Sequence, residues 1–240
     1  MPRRLASRNI SAASRLIVAL DVGDLESAVA LGRQLQGLVS SVKIGSALFT
    51  AVGPDAIRRL RAMGFRVFLD LKFHDIPSTV EKSCRAAVRH NVWMLTLHAS
   101  GQPEMLMAAA AGAADEATRR GVPKPIVVGV TVLTSVESVD ASMTRRVVAL
   151  AAQAKQSGLD GVVASAHEAA AIRRRLPEPF VIVCPGIRPS AKQEADQHRV
   201  ASPSQAIARG ANFLVVGRPI TGAANPRASA EVILREMEGG

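Results

Sequence analysis

The residues with the clearest chemical potential follow the apolar run Val67-Phe68-Leu69, in the motif Asp70-x-Lys72-x-x-Asp75. Because side chains alternate along a strand, Asp70 and Lys72 should point to the same side of it. Asp75 comes just before Pro77, a residue type that commonly opens helices, so it should lie in the turn after the strand. The motif predicts an ion pair at a strand end with a second carboxylate close behind.

A lysine flanked by carboxylates is held protonated, because nearby negative charge favours its charged form. Such a lysine can act as a general acid or stabilise developing negative charge. It is a poor Schiff-base nucleophile, since that chemistry needs a neutral amine, and the flanking acids argue against an aldolase of that class. Mg²⁺ is compatible with the motif but not required by it. An ion pair that only closes the end of the strand is the structural alternative.

Two earlier apolar runs also end in charged residues, namely Asp21 and Lys43. If the strands are parallel neighbours, these side chains meet Asp70 and Lys72 at one end of the sheet. Buried charges need partners, and several charged strand ends in succession are more typical of a catalytic site than of one structural ion pair. We therefore interpret the four residues as an active site, with Asp75 added from the following turn.

The elements that must position these residues are short apolar runs alternating with segments of helical period, a pattern typical of a parallel sheet wrapped by helices. The predicted strands are Leu16–Val22, Ser41–Gly45, Arg66–Lys72, Met94–His98, Pro125–Leu133, Gly161–Ser165, Phe180–Gly186 and Phe213–Ile220. Eight strands in 240 residues favour an α/β fold of the (β/α)8 TIM barrel type. An open doubly wound sheet is the alternative, although no Gly-x-Gly-x-x-Gly follows the first strand.

Residues that begin and end helices support this parse. Asp24 precedes a predicted helix at Leu25–Gln36, Pro54 precedes one at Ala56–Met63, and Gly121 should end the helix after Pro103. We expect one barrel domain at residues 16–240.

Residues 1–15 carry four Arg and no acid. This composition superficially fits a mitochondrial transit peptide, but composition is a weak signal for one. A basic arm or short helix laid against the barrel is the favoured interpretation.

Composition argues against several classes of function. The net charge of +10 suits an anionic partner, but the Arg residues are spread over helix-like segments and aromatics make up only 3%, so nucleic-acid binding is disfavoured. The absence of Tyr excludes Tyr-based chemistry.

The two cysteines, Cys84 and Cys184, stand far apart and belong to no Cys/His cluster. This spacing indicates neither a disulfide framework nor a zinc site, and it favours a reducing cytoplasm. No apolar run reaches membrane-spanning length.

The later strand ends carry groups suited to a phosphate. Pro185-Gly186-Ile187-Arg188 ends the seventh predicted strand and Gly217-Arg218 ends the eighth, where TIM barrels commonly bind phosphate. A packing glycine and a surface arginine are the alternative. Thr134 and Ser135 place two hydroxyls after the fifth strand, where a helix cap or turn would also explain them. A polar loop at Arg188–Gln197 should hang over the site.

Two histidines, His74 and His98, also lie near strand ends. Neither has a partner visible in sequence, and a hydrogen-bonded structural His is the commoner case. We do not assign them to catalysis.

Taken together, these motifs resemble the orotidine 5′-phosphate decarboxylase family from about Leu16 to the carboxyl end. The matching segments are Ala19-Leu20-Asp21, Val42-Lys43-Ile44-Gly45, Asp70-Leu71-Lys72-Phe73-His74-Asp75-Ile76-Pro77, Leu133-Thr134-Ser135, Gly158-Leu159-Asp160-Gly161-Val162-Val163, Pro185-Gly186-Ile187-Arg188, Asp196-Gln197 and Val216-Gly217-Arg218-Pro219-Ile220. Related sugar-phosphate synthases and β-keto acid decarboxylases share the Asp-x-Lys-x-x-Asp motif, so a lyase or synthase of that wider group is the second hypothesis. A basic nucleic-acid-binding protein is the third.

The resemblance implies decarboxylation without cofactor or metal, through a C6 carbanion protonated by Lys72, in a monofunctional enzyme. Asp70 would face the substrate carboxylate, while Lys43 and Asp21 would hold ribose hydroxyls. The resemblance also implies a homodimer in which the neighbouring site receives Asp75, Ile76 and Thr79. The remaining implied substrate contacts are Thr134 and Ser135 near the pyrimidine and, in the phosphate region, Arg188, Gln197, Gly217 and Arg218.

Overall fold

The computed structural model describes residues 11–133, 140–189 and 201–239. These residues form eight parallel strands that close in sequence order, with β8 pairing back to β1. The strands are β1 Leu16–Ala19, β2 Ser41–Gly45, β3 Arg66–Phe73, β4 Met94–His98, β5 Ile126–Val130, β6 Gly161–Val163, β7 Val181–Cys184 and β8 Phe213–Val216. The predicted (β/α)8 barrel is confirmed, and the open sheet is excluded.

Helices alternate with the strands around the outside of the barrel. Those in the described part of the chain are α1 Ala12–Arg15, α2 Leu25–Leu35, α3 Ser46–Val52, α4 Pro54–Ala62, α5 Pro77–Arg89, α6 Pro103–Arg120, α7 Ala141–Gln156, α8 Ala166–Arg175, α9 Pro203–Ala208, α10 Arg218–Thr221 and α11 Pro226–Glu238. Asp24 caps α2 by accepting a hydrogen bond from the Ser27 amide at 2.7 Å, and Gly121 follows α6 in the left-handed conformation. Among the described residues, no helix combines the length and apolarity needed to cross a bilayer.

Two apolar layers result from the alternation of side chains along the strands. Leu16 and Val18 on the outer face of β1, and Leu20 just after it, belong to the large core beneath the helices. A second, smaller cluster fills the interior of the barrel with Ile17, Ala19, Phe68, Met94, Val128, Val181, Val183, Phe213 and Val215. The barrel interior is therefore packed below the level at which the charged residues begin.

The amino-terminal end of the barrel is closed by two aromatic rings and a partly buried guanidinium. Trp93 meets Phe213 edge-on with ring centroids 5.1 Å apart, and Arg66 lies 4.2 Å over the Trp93 ring. Burial lowers the pKa of Arg66 below its ordinary value. Arg66 also donates to the Ser14 carbonyl oxygen at 2.8 Å, which ties the chain before β1 to this end.

The described end of the proposed basic arm, residues 11–15, includes α1. Ala12 is buried, and Arg15 donates to the carbonyl oxygens of Ala211 and Asn212 at 2.6 and 3.1 Å. Residues 1–10 lie outside the described residues, so an arm over 1–15 stays a prediction.

Several predicted strands were too long at their carboxyl ends. The first ends at Ala19 rather than Val22, and the fifth ends at Val130 rather than Leu133. Beyond these ends, Asp21, Val132 and Leu133 line a cavity, whereas Leu20 packs in the large core. In contrast, β3 continues to Phe73, and its register against β4 shifts between Leu69 and Phe73.

Candidate active site

Four charged side chains form a continuous row across β1, β2 and β3. Lys43 Nζ lies 2.8 Å from Asp21 Oδ1 and 3.4 Å from Asp70 Oδ2. The same Asp70 oxygen lies 3.0 Å from Lys72 Nζ. Charge therefore alternates along the row from Asp21 through Lys43 and Asp70 to Lys72, and each ammonium has a carboxylate partner.

The sheet register explains why these side chains meet. Lys43 pairs with Ala19 on one side and Phe68 on the other, and these neighbours also belong to or contact the barrel interior. Two residues after Lys43, Gly45 pairs with Asp70, and this is the next residue pair on the side of the sheet that faces the barrel interior. A side-chain carbon at Gly45 would stand 3.0 Å from Asp21 Oδ1, so the absence of one leaves room for the row. Gly45 belongs to the motif Val42-Lys43-Ile44-Gly45, but the sequence alone does not reveal that a glycine is needed there to make room for the charged side chains.

Burial divides the row into an inner pair and an outer pair. Lys43 and Asp70 keep only 10% and 12% of their side chains exposed, whereas Lys72 keeps 35% and Asp21 keeps 59%. Removing one partner of a buried ion pair leaves an uncompensated charge, so the inner two residues stabilise each other. All four side chains line the cavity, and the two outer residues are the more accessible to a ligand.

A buried hydroxyl joins this row from β4, and sequence analysis missed it. Thr96 Oγ1 donates to Asp70 Oδ1 at 2.9 Å and accepts from the Lys72 amide at 2.8 Å. The signal was available, because Thr96 stands two residues after Met94, which faces the barrel interior. A polar residue at that spacing in an otherwise apolar strand predicts a polar contact inside the barrel.

The row forms one wall of a cavity of about 280 Å³ at the carboxyl ends of the strands. A second wall is apolar, and a third carries two arginines and two glycines. The apolar wall includes Val130, Val132, Leu133, Val163 and Ala164, and the third wall comprises Pro185, Gly186, Ile187, Arg188, Gly217, Arg218 and Pro219. Gly186 has φ +71°, a left-handed conformation that favours glycine at this turn.

The structure thus places Arg188, Gly217 and Arg218 in the same cavity as the charged row. Three other predicted substrate contacts, Thr134, Ser135 and Gln197, lie outside the described residues, as does most of the predicted loop at Arg188–Gln197.

Asp75, Ile76 and Thr79 do not line this cavity. All three are exposed, and Ile76 is 63% exposed despite being a large apolar residue. Asp75 Oδ1 accepts the Ile76 amide at 2.6 Å, which orders the turn before α5. The trailing carboxylate of the motif is therefore exposed and lies outside the cavity that contains Asp70 and Lys72 of the same chain.

The two histidines are neighbours at the edge of the site. Their rings lie 5.1 Å apart, so each has the partner that sequence alone did not reveal. Burial is the main cause that lowers the pKa of His98, and the neighbouring His74 and Lys72 lower it further, while Asp70 opposes the shift. Neither His74 nor His98 lines the cavity.

The cysteines are separate from the site. Cys84 and Cys184 are free and buried, and burial raises the pKa of each thiol to about 12, which keeps both unreactive. Within residues 11–133, 140–189 and 201–239, no three His, Cys, Asp or Glu side chains are grouped to hold a metal.

Comparison with known proteins identifies the family. The model of the orotidine 5′-phosphate decarboxylase / HUMPS family matches residues 14–233. The chain belongs to this family. It is 45% identical over 235 residues to an orotidine 5′-phosphate decarboxylase of Moorella thermoacetica, covering 95% of this chain and 93% of that protein. It is also 45% identical over 230 residues to one from Vibrio cholerae, covering 93% and 96%.

Solved structures of family members have the same fold. The crystal structure of orotidine 5′-phosphate decarboxylase from Lactobacillus acidophilus superimposes with a TM-score of 0.81 at 36% identity, covering 93% of this chain and 99% of that one. The resemblance to the decarboxylase family inferred from the motifs is confirmed.

Proposed function

We propose that this protein decarboxylates orotidine 5′-phosphate to UMP, the last step of de novo pyrimidine nucleotide synthesis. The observation that carries the proposal is the Asp21–Lys43–Asp70–Lys72 row in a cavity that also contains Arg188 and Arg218. The substrate has an anionic phosphate, ribose hydroxyls and a carboxylated pyrimidine, and the cavity offers cations, hydrogen-bonding groups and an apolar wall. Membership of a decarboxylase family supports the same reaction.

The phosphate end of the substrate belongs at the third wall of the cavity. Arg188 and Arg218 each offer a guanidinium that can make paired hydrogen bonds to phosphate oxygens, and Gly217 lets the backbone approach them closely. Gln197 completes this region in the proposal, and Thr134 and Ser135 contact the pyrimidine. Asp21 and Lys43 bind the ribose hydroxyls, since Asp21 is the most exposed member of the row.

In the reaction, the bond between C6 of the pyrimidine and its carboxylate breaks, and CO₂ leaves. The electron pair of that bond stays on C6. Lys72 then transfers a proton from its ammonium to C6, which yields UMP and a neutral amine that solvent reprotonates. Asp70 stands beside the leaving carboxylate, and the apolar wall receives the uncharged CO₂.

Fixed charge explains how the row lowers the barrier. The Lys72 ammonium is held at 3.0 Å from Asp70 before the substrate binds, so it needs no reorganisation when negative charge develops on C6. Contacts to the phosphate supply binding energy that helps hold the pyrimidine against this charge. No metal or cofactor takes part in the proposed reaction.

The proposed enzyme is a homodimer with shared sites. Asp75 and Ile76 lie in the turn before α5 and Thr79 lies in the first turn of that helix; all three are exposed and lie outside the cavity of their own chain. In the proposal they reach the cavity of the neighbouring subunit, where Asp75 adds a carboxylate next to Lys72. Burial of the exposed Ile76 at the subunit interface would contribute to association.

The proposed location is the cytoplasm. The buried free thiols of Cys84 and Cys184 are compatible with a reducing compartment, and the named relatives are biosynthetic enzymes.

The experiment that tests the function is conversion of orotidine 5′-phosphate to UMP by protein treated exhaustively with EDTA. We expect full turnover, unchanged when Mg²⁺ is restored. Activity that is lost with EDTA and regained with Mg²⁺ would contradict the metal-free mechanism. Absence of decarboxylation together with metal-dependent conversion of a sugar phosphate would favour the synthase members of the family.

A further inference from the structure

Thr96 joins the Asp70 carboxylate to the backbone of Lys72, in addition to the ion pair between the Asp70 and Lys72 side chains. Its side chain is fully buried inside the barrel on β4. One oxygen atom, Oγ1, contacts both the Asp70 carboxylate at 2.9 Å and the Lys72 backbone amide at 2.8 Å. A hydroxyl is well suited to this position because it can donate one hydrogen bond and accept another at the same time.

The backbone around Lys72 needs such a contact. Between β3 and β4 the pairing passes from Leu69 opposite Leu95 directly to Phe73 opposite Leu97. Three residues of β3, numbers 70 to 72, therefore lie opposite the single residue Thr96 of β4. Such a mismatch is an irregularity of the β-bulge kind. Lys72 has φ +52°, a conformation that is unfavourable for a residue with a side chain and persists where surrounding contacts impose it.

The direction of the two hydrogen bonds also orients the carboxylate. Because Thr96 accepts from the Lys72 amide, its single hydroxyl hydrogen is available to Asp70 Oδ1. Asp70 Oδ2 is then turned toward both ammonium groups, at 3.0 Å from Lys72 and 3.4 Å from Lys43. The same hydroxyl thus fixes the rotation of the Asp70 carboxylate and the backbone that carries Lys72.

We propose that Thr96 is a positioning residue, which holds Asp70 and Lys72 in their reactive arrangement without touching the substrate. The proposal rests on the function proposed above, because it assigns the reacting groups to Asp70 and Lys72. It predicts that the hydroxyl, rather than the methyl group of Thr96, controls turnover.

The test uses two matched pairs of side chains in the full-length protein. Thr96 and Thr96→Val have nearly the same shape, and Thr96→Ser and Thr96→Ala both lack the methyl group, so each pair differs in the hydroxyl. We expect kcat for orotidine 5′-phosphate to fall about 10- to 100-fold in the Val and Ala variants, as for loss of a hydrogen bond to a charged group, and about threefold or less in the Ser variant. Affinity for UMP, measured by titration calorimetry, should change by less than about threefold in all of them.

Thr131 provides the control, since it is also buried and donates to the Val163 carbonyl oxygen at 2.9 Å, without contacting the charged row. Thr131→Val should keep kcat within about twofold of wild type. Wild-type kcat in Thr96→Val and Thr96→Ala, or equal losses in Thr96→Ser and Thr96→Ala, would overturn the positioning role. An inactive wild-type protein would instead refute the proposed function.

A structural readout tests the positioning role independently of activity. In a crystal structure of Thr96→Ala, we expect the Lys72 backbone to leave its left-handed conformation or its ammonium to separate from Asp70 Oδ2. An unchanged Lys72 backbone and an unchanged distance between these atoms would overturn the proposal, whatever substrate the enzyme uses.

Discussion

Asp70 is the residue on which the other groups of the site converge. One of its oxygens faces two ammonium groups and the other accepts a hydrogen bond from Thr96, while only 12% of the side chain is exposed. A carboxylate in this position balances the charge of both lysines and sets the distance between them. Lys72 is the more exposed of the two, which is why we assign it the proton transfer and Lys43 the supporting role.

Replacement of Lys72 by Ala should abolish turnover and leave the fold intact. The side chain is at the cavity surface, so its loss removes the proton donor and the fixed positive charge but leaves the apolar core unchanged. We expect kcat to fall more than about 10³-fold. The measurement is steady-state decarboxylation, with circular dichroism to verify folding.

The matched control is Lys124→Ala. Lys124 is also ion-paired, with its Nζ 2.7 Å from Asp160 Oδ2, but this pair lies outside the cavity. The control should retain wild-type kcat. Near-normal turnover by Lys72→Ala would show that the assigned proton donor is wrong.

At the level of elements, α5 and α6 are joined by a buried carboxylate. Glu116 on α6 is 1% exposed and accepts hydrogen bonds from Arg89 on α5 and from Arg119. These guanidinium groups, Arg119 first, lower the pKa of Glu116 from 4.5 to about 2. Because the folded state prefers the charged form, this stabilisation is fully present above pH 4.5 and is lost as the pH falls toward about 2.

The pH dependence of stability should therefore change in Glu116→Gln. Glutamine cannot titrate, so the difference in unfolding free energy between wild type and variant should shrink as the pH is lowered from 5 to about 2.5. Urea unfolding at several pH values measures it. A difference that stayed constant over this pH range would contradict the role of the ion pairs of Glu116.

Strands β6 and β7 approach closely because Gly161 has no side chain. A carbon added there would lie 2.6 Å from Val181 Cβ and also meet the Val181 carbonyl oxygen. Gly161→Ala should lower the free energy of unfolding by about 1–3 kcal/mol, as overpacking does. Gly23→Ala, where an added carbon would meet nothing within 4 Å, should change it by less than about 0.5 kcal/mol. Equal stability of the two variants would show that the strands can separate without cost.

In the whole molecule, stability and chemistry occupy opposite ends of the barrel. Phe213, Trp93 and Arg66 pack the amino-terminal end, whereas the charged row and the arginines lie at the carboxyl end. TIM barrels generally show this division, since residues beyond the strand ends are free of the packing demands inside the barrel. Asp75 follows β3 at the carboxyl end without lining the cavity of its own chain, and the role proposed for it involves a second chain.

A mixture of Lys72→Ala and Asp75→Ala chains should regain activity if Asp75 acts across a subunit interface. In a mixed dimer, one site contains both substitutions and the other contains neither. With random exchange of subunits, activity should recover to about one quarter of the wild-type value. The measurement is decarboxylation after mixing under conditions that permit exchange, with each variant alone as control. No recovery after demonstrated exchange would argue against shared sites.

Much of the barrel followed from local sequence properties. Continuous apolar runs predicted the eight strands, since both faces of a parallel sheet are buried, and helix-starting and helix-ending residues such as Asp24 and Gly121 marked the intervening helices. The sequence alone showed that the charged residues Asp21, Lys43, Asp70 and Lys72 stand at the ends of predicted strands. The side on which each would lie followed from the alternation of side chains.

Other features depend on which strands become neighbours and at what register. The predicted carboxyl ends of β1 and β5 were wrong. An apolar residue beyond the last hydrogen bond between two strands looks the same in sequence as an apolar residue inside the strand. Asp75 resembled a member of the local cluster, since sequence distance does not reveal that its side chain lies outside the cavity of its own chain.

The stretch from Asp70 to Lys72 shows the same division most clearly. Its sequence determined an acid and a lysine on one side of a strand, because alternation is a local property of the backbone. Only the tertiary structure decided that Lys72 adopts a left-handed conformation opposite Thr96, and that Gly45 leaves space for the row. Contacts between strands distant in sequence determine these features, since it is barrel closure that brings the groups together.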